Sequence, residues 1–158
     1  MKNAREKAKK LIEDFIESFG YNPVEDVEFS MDTESDLIFY TLDEPDNSPA
    51  NVALKRYLKE EFHISVPMLL FSILHEIGHF ETLGKITQKE IDIDTATKGI
   101  IELAYGAYRG DDNYCFFKAY WDLKMEYLAN EWAVNFVKSN TEECAEFYGK
   151  LKKCIEGF

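Results

Sequence analysis

The sequence predicts an α+β fold dominated by helices, with a small antiparallel sheet. Three observations lead there. Apolar residues recur at helical spacing through most of the 158 residues. Two short apolar runs, Val27–Asp32 and Asp36–Leu42, flank the turn-like Thr33-Glu34-Ser35 and read as paired strands. No linker and no internal repeat divides the chain, so residues 1–158 read as a single domain.

The elements follow in order. Ala4, Ala8, Leu11, Ile12, Phe15, Ile16 and Phe19 form a helical stripe from Lys2 to Phe19, ended by Gly20. Leu37-Ile38-Phe39-Tyr40 is apolar on both sides, which makes it the better buried of the two strands. The segment from Asp43 to Pro49 has the composition of a loop, and Asn51 to Phe62 that of a short helix. Ser65-Val66-Pro67 reads as a helix start, with Ser65 as N-cap and Pro67 in the first turn. Gly84 supplies the stop, giving a helix from Val66 to Leu83 that lies beside the sheet. Val66, Leu69, Leu70, Ile73, Leu74, Ile77 and Phe80 share its core face.

Thr87 to Ala107 is helical, but the alternation in Glu90-Ile91-Asp92-Ile93-Asp94 leaves its start anywhere between Thr87 and Thr95. Arg109 to Asn113 is a loop. Tyr114 to Lys138 is helical in pattern, with Asp122 a candidate cap for a separate second helix. Thr141 caps a last helix through Ile155.

Composition narrows the classes. With 46% hydrophobic residues the chain is globular, and no apolar run reaches the ~20 residues of a membrane span. The N-terminus is charged and amphipathic rather than a signal peptide, so a cytoplasmic location is expected. Cys115, Cys144 and Cys154 form no CxxC pair. On one helix, Cys144 and Cys154 would stand about 15 Å apart, too far for a disulfide. All three read as buried or half-buried thiols. The net charge of −12 disfavours non-specific nucleic-acid binding. It suits solubility first, and a basic substrate segment or partner second.

The chemistry-bearing motif is His75-Glu76-Ile77-Gly78-His79, which uses two of the three histidines. At i and i+4 on a helix, His75 and His79 share a face and can converge on one metal ion. They fall opposite the apolar stripe. Glu76 is turned about 100° from His75, flanking the metal with a carboxylate free to take a proton from water. This is the spacing of zinc-dependent peptidases, and Zn2+ is the cofactor it implies.

A catalytic zinc usually has three protein ligands. His63 stands just before the motif helix and reads as a surface residue rather than a ligand. Two glutamates of the segment Met125 to Phe136 are better candidates. Its apolar face comprises Met125, Leu128, Ala129, Trp132, Ala133 and Phe136. Glu126 lies on the border of that face beside two alanines, whereas Glu131 lies about 120° off its centre, toward solvent. Glu126 is therefore the expected third ligand, with Gly78 giving matching clearance on the motif helix. Asn130, one turn on from Glu126, could hold a ligand imidazole through its other ring N–H.

His75-Glu76-Ile77-Gly78-His79 followed by Glu126-Tyr127-Leu128-Ala129-Asn130-Glu131-Trp132-Ala133 resembles the ImmA/IrrE family of gluzincin-type zinc metallopeptidases. The resemblance covers about a third of the chain. It implies a zincin-like domain, with His75, His79 and Glu126 as zinc ligands and Glu76 as general base. The chain departs from the family after the second motif, where Val134-Asn135-Phe136-Val137-Lys138 replaces Ala-Glu-Leu-Leu-Met-Pro. The resemblance implies hydrolysis of a peptide bond, with a regulatory protein as the kind of substrate; the lack of a long apolar run leaves no membrane partner expected. A tyrosine among Tyr105, Tyr108, Tyr114, Tyr120 and Tyr127 is expected to steady the oxyanion, and spacing does not choose among them. Two other readings compete: a zincin-fold binding module without turnover, and an acidic helical interaction protein without metal.

Overall fold

The structure is a computed structural model that describes residues 2–21 and 49–156. Among these residues the regular elements are α1 (Lys2–Glu17), α2 (Pro49–Phe62), α3 (Met68–Thr82), α4 (Gln88–Ala107), α5 (Tyr114–Trp121), α6 (Lys124–Ser139) and α7 (Thr141–Glu156). A single 3₁₀ turn, Leu83–Lys85, comes directly after α3. No strand occurs among the described residues, which overturns the α+β class with a small sheet beside the motif helix. The two runs read as strands, 27–32 and 36–42, lie outside the described residues. Helices do the covering that the sheet was expected to do.

The motif helix α3 is the centre of the packing. Met68, Leu69, Leu70, Phe71, Ile73, Leu74 and Ile77 are all buried, so the helix is covered on more than the one stripe the sequence suggested. Phe80 departs from that stripe and is exposed, its ring lying 5.3 Å from Tyr21. The helix also starts later than expected. Pro67 is the N-cap, and its carbonyl accepts from Phe71 N; Ser65 is exposed and makes no cap. Pro67 fits there because a cap position asks for no N–H. At the other end Thr82 donates to Gly78 O at 2.7 Å, and Gly84 falls within the 3₁₀ turn.

The most extensive packing is between α3 and α6, with α1 against α7 next. Phe15 stacks on Phe147 at 4.0 Å between ring centroids, and Ile12 and Leu151 are fully buried nearby in the same core. Phe19 closes the edge of this layer against Trp132 and Phe136. On the other flank, α2 meets α5 through Tyr57, whose hydroxyl donates to Asp122 Oδ1 at 2.8 Å.

That bond settles the role of Asp122. The helical run 114–138 does break there, but Asp122 does not cap the next helix: α6 has Leu123 as its N-cap, with no side-chain cap of its own. Asp94 of α4 takes that role from across the molecule, accepting from Lys124 N at 3.2 Å and Met125 N at 2.8 Å. A carboxylate there satisfies two otherwise orphaned N–H groups and meets the positive end of the helix dipole. It also anchors α4, of which Asp94 is the one buried residue, while Ile93, Ile100 and Leu103 stand more than half exposed. The start of α4 is settled by a capping box between Thr87 and Glu90, so the alternating stretch is already helix. Thr141 opens α7 but donates back to Val137 O and Lys138 O instead of capping. Of the cysteines, Cys144 is buried and Cys154 half-buried, but Cys115 is exposed on α5.

Candidate metal centre

Helical spacing brings the two imidazoles of α3 to one place. His75 Nε2 and His79 Nε2 are 3.0 Å apart. Glu126 on α6 reaches between them, with Oε2 at 2.9 Å from His75 Nε2 and 3.4 Å from His79 Nε2. All three side chains are mostly covered. The carboxylate gets this close because the facing surfaces are small. Ala129 and Ala133 of α6 are fully buried, and Gly78 sits against the Ala129 backbone.

The burial pattern of α6 differs from the helical-wheel reading. Its buried residues are Ala129, Asn130, Ala133 and Val134, while Met125, Leu128 and Trp132 are only half-buried. The inner face is turned toward the side bearing Glu126 and Asn130. Hydrophobicity alone misplaces it, because the surface that meets the histidines has to be polar.

Asn130 Oδ1 lies 2.7 Å from His75 Nδ1. With a carbonyl oxygen facing it, Nδ1 carries a proton; a protonated His75 then donates from Nε2 to Glu126, whereas a neutral His75 presents Nε2 as the lone pair a metal needs. Asn130 Nδ2 is buried with no hydrogen-bond partner among the described residues. A buried amide with an unmet donor costs stability, on the order of 1–3 kcal/mol. Its one bond is to the imidazole.

Charge is concentrated here. Burial pushes the Glu126 carboxyl upward, but hydrogen bonds from His75 and His79 outweigh it and hold the group well below the usual carboxylate range. Burial pushes His79 down, and the hydrogen bond to Glu126, with the charges of Glu126 and Glu76, raises it above the ordinary histidine value. Tyr120, at the end of α5, directs its hydroxyl to Glu126 Oε1 at 3.3 Å. Burial, reinforced by Glu126 and Glu76, pushes its phenol up to about 12. Of the five tyrosines the sequence left open, Tyr120 is the one bonded to Glu126. Tyr127 turns to Glu61 and Tyr114 to Glu60.

His75, His79 and Glu126 form a group that can hold a metal ion. Donors about 2.0–2.1 Å from a shared tetrahedral ion stand roughly 3.3–3.4 Å from one another. The three observed separations are within about half an ångström of that, and two imidazole nitrogens plus a carboxylate are a donor set suited to a divalent transition metal. Glu76 is half-buried on the same helix, its charge felt by both His79 and Tyr120. Glu131 is exposed and belongs to a different cavity, beside Trp132 and Asn135. His63 is exposed at the α2–α3 connection, with a backbone φ of 55°, and is not part of the metal group. Compared with known proteins, the chain matches no family model, no curated protein and no solved structure.

Proposed function

We propose that the protein is a zinc-dependent peptidase, built around His75, His79 and Glu126 as ligands and Glu76 as general base. The convergence of the two Nε2 atoms and Glu126 Oε2 within 3.4 Å carries the reading. The HExxH spacing supplies the chemistry, and the resemblance to ImmA/IrrE metallopeptidases agrees with it.

A zinc ion in this site would polarise a peptide carbonyl and bring the pKa of water at its open position toward neutrality. The chain supplies the rest. Glu76 follows His75 directly on the same helix, so its carboxylate would flank a bound ion rather than ligate it. It takes the proton of the attacking water and returns it to the leaving amine. Asn130 fixes the tautomer and plane of His75, so that Nε2 is presented as a lone pair. Glu126 would balance one of the two positive charges of such an ion and, with His75 and His79, supply the three protein ligands typical of a catalytic zinc.

The variant Glu76→Gln tests this reading against a peptide library bearing a fluorophore and quencher. Full zinc content with loss of cleavage is the expected result, since only the proton acceptor is removed. Wild-type protein that holds zinc but cleaves nothing would favour a binding module on the same scaffold. Cleavage undiminished in Glu76→Gln would contradict the proposal.

A further inference from the structure

The break between α5 and α6 has a consequence for the site. Tyr120 and Glu126 are six residues apart, and on one continuous helix such residues face about 120° away from each other. They meet only because the chain turns at Asp122 and Leu123 between the two helices. The turn is built on both sides. Tyr57 holds Asp122 at 2.8 Å, and Asp94 holds the first N–H groups of α6. Three separate elements therefore contribute to putting one hydroxyl on one carboxylate oxygen.

The two oxygens of Glu126 have different surroundings. Oε2 faces both imidazoles, at 2.9 and 3.4 Å, while Oε1 accepts from the Tyr120 hydroxyl at 3.3 Å. We infer that Tyr120 is a positioning residue: its hydroxyl engages Oε1 so that Glu126 offers a metal a single oxygen. A carboxylate free to rotate can bring both oxygens to an ion and fill the place a three-ligand site leaves open. A donor on Oε1 opposes that. The Tyr120 ring is half-buried, with Lys98 Nζ 5.6 Å from its centroid, so the ring also has a packing role separable from the hydroxyl. The inference rests on the metal-site reading above but assigns a residue that neither the HExxH spacing nor the second motif contains.

The test compares wild type, Tyr120→Phe and Glu126→Gln with Zn2+ and with Co2+, whose visible absorption reports coordination number. Tyr120→Phe keeps the ring and removes only the hydroxyl. Partners that orient metal ligands are typically worth about 10–100-fold in affinity. The 3.3 Å contact is longer than an optimal O–H···O bond, which places the expected loss near tenfold. The Co2+ spectrum of Tyr120→Phe should shift toward that of a higher coordination number, with thermal stability close to wild type. A purely structural tyrosine would lower stability and leave the spectrum of the bound ion alone. Wild-type affinity and an unchanged Co2+ spectrum in Tyr120→Phe would overturn the Tyr120 assignment and leave the metal site standing. Wild-type protein that takes up neither ion would overturn both.

Discussion

Gly78 and Ala129 meet backbone to backbone where α3 packs on α6: a Cβ added at Gly78 would stand 2.7 Å from the Ala129 carbonyl oxygen and 3.1 Å from its Cα. Backbone atoms cannot rotate aside as a flexible side chain can. Gly78→Ala should therefore push the two helices apart, at a cost of about 1–3 kcal/mol as an overpacked core contact. Because the same contact sets the reach of Glu126, metal affinity should fall with stability. Urea unfolding and a metal-binding titration measure the two. A Gly78→Ala protein unchanged in both would show that the close approach is not what positions the carboxylate.

Asn130 should behave in the opposite sense. It makes a 2.7 Å contact with His75 Nδ1 but carries a buried donor with no partner among the described residues. Asn130→Ala should cost the fold little, of the order of 1 kcal/mol, since one hydrogen bond and one unmet donor are lost together. Zinc affinity should drop roughly 10–100-fold, because the imidazole loses the partner that fixes its tautomer. Calorimetric titration beside denaturant unfolding separates these effects, and equal affinity in the variant would count against a role for Asn130.

The legible and illegible parts of the chain divide by physical cause. The meeting of His75 and His79 was legible because i, i+4 spacing on a helix fixes geometry locally. Glu126 and Asn130 could be placed at the histidines because they lie one turn apart beside alanines, within the second motif. The roles of Tyr120 and Asp94 were not readable. Tyr120 reaches Glu126 only through a helix break whose angle no local pattern encodes, and Asp94 caps a helix 30 residues further along the chain. The fold class failed for a related reason. Ile73, Ile77 and their neighbours announced a buried face, but an apolar face does not say whether a sheet or a helix will cover it.

Acidity should act on the metal-free and metal-bound proteins in different ways. His79 is raised above its ordinary value of 6.5, so its ion pair with Glu126 stabilises the metal-free fold fully below that value. That contribution is lost as pH rises through the folded-state value. Glu126 is depressed, so its contribution is present above the ordinary carboxylate range and fades as pH falls toward the depressed value. Zinc needs neutral imidazoles, so its affinity should climb over the interval in which His79 sheds its proton. Thermal melts of chelator-treated protein and competition titrations across pH measure the two trends. An affinity independent of pH in that interval would be incompatible with His79 as a ligand.

The thiols offer a test of packing. Burial pushes Cys144 up to about 11, whereas Cys115 is exposed on α5. At neutral pH an alkylating reagent should label Cys115 rapidly and reach Cys144 only after unfolding. Peptide mapping by mass spectrometry checks the order. Rapid labelling of Cys144 in the folded protein would place the α1–α7 layer in doubt.

Zinc content tests the central claim most directly. Purified protein, stripped of metal, reconstituted with Zn2+ and dialysed, should hold about one ion per chain by elemental analysis. His75→Ala, His79→Ala and Glu126→Gln should each lower that content, while Glu131→Gln and Glu76→Gln should retain it. A folded, reconstituted wild-type chain without stoichiometric zinc, or one whose zinc survives loss of both histidines, would contradict the account.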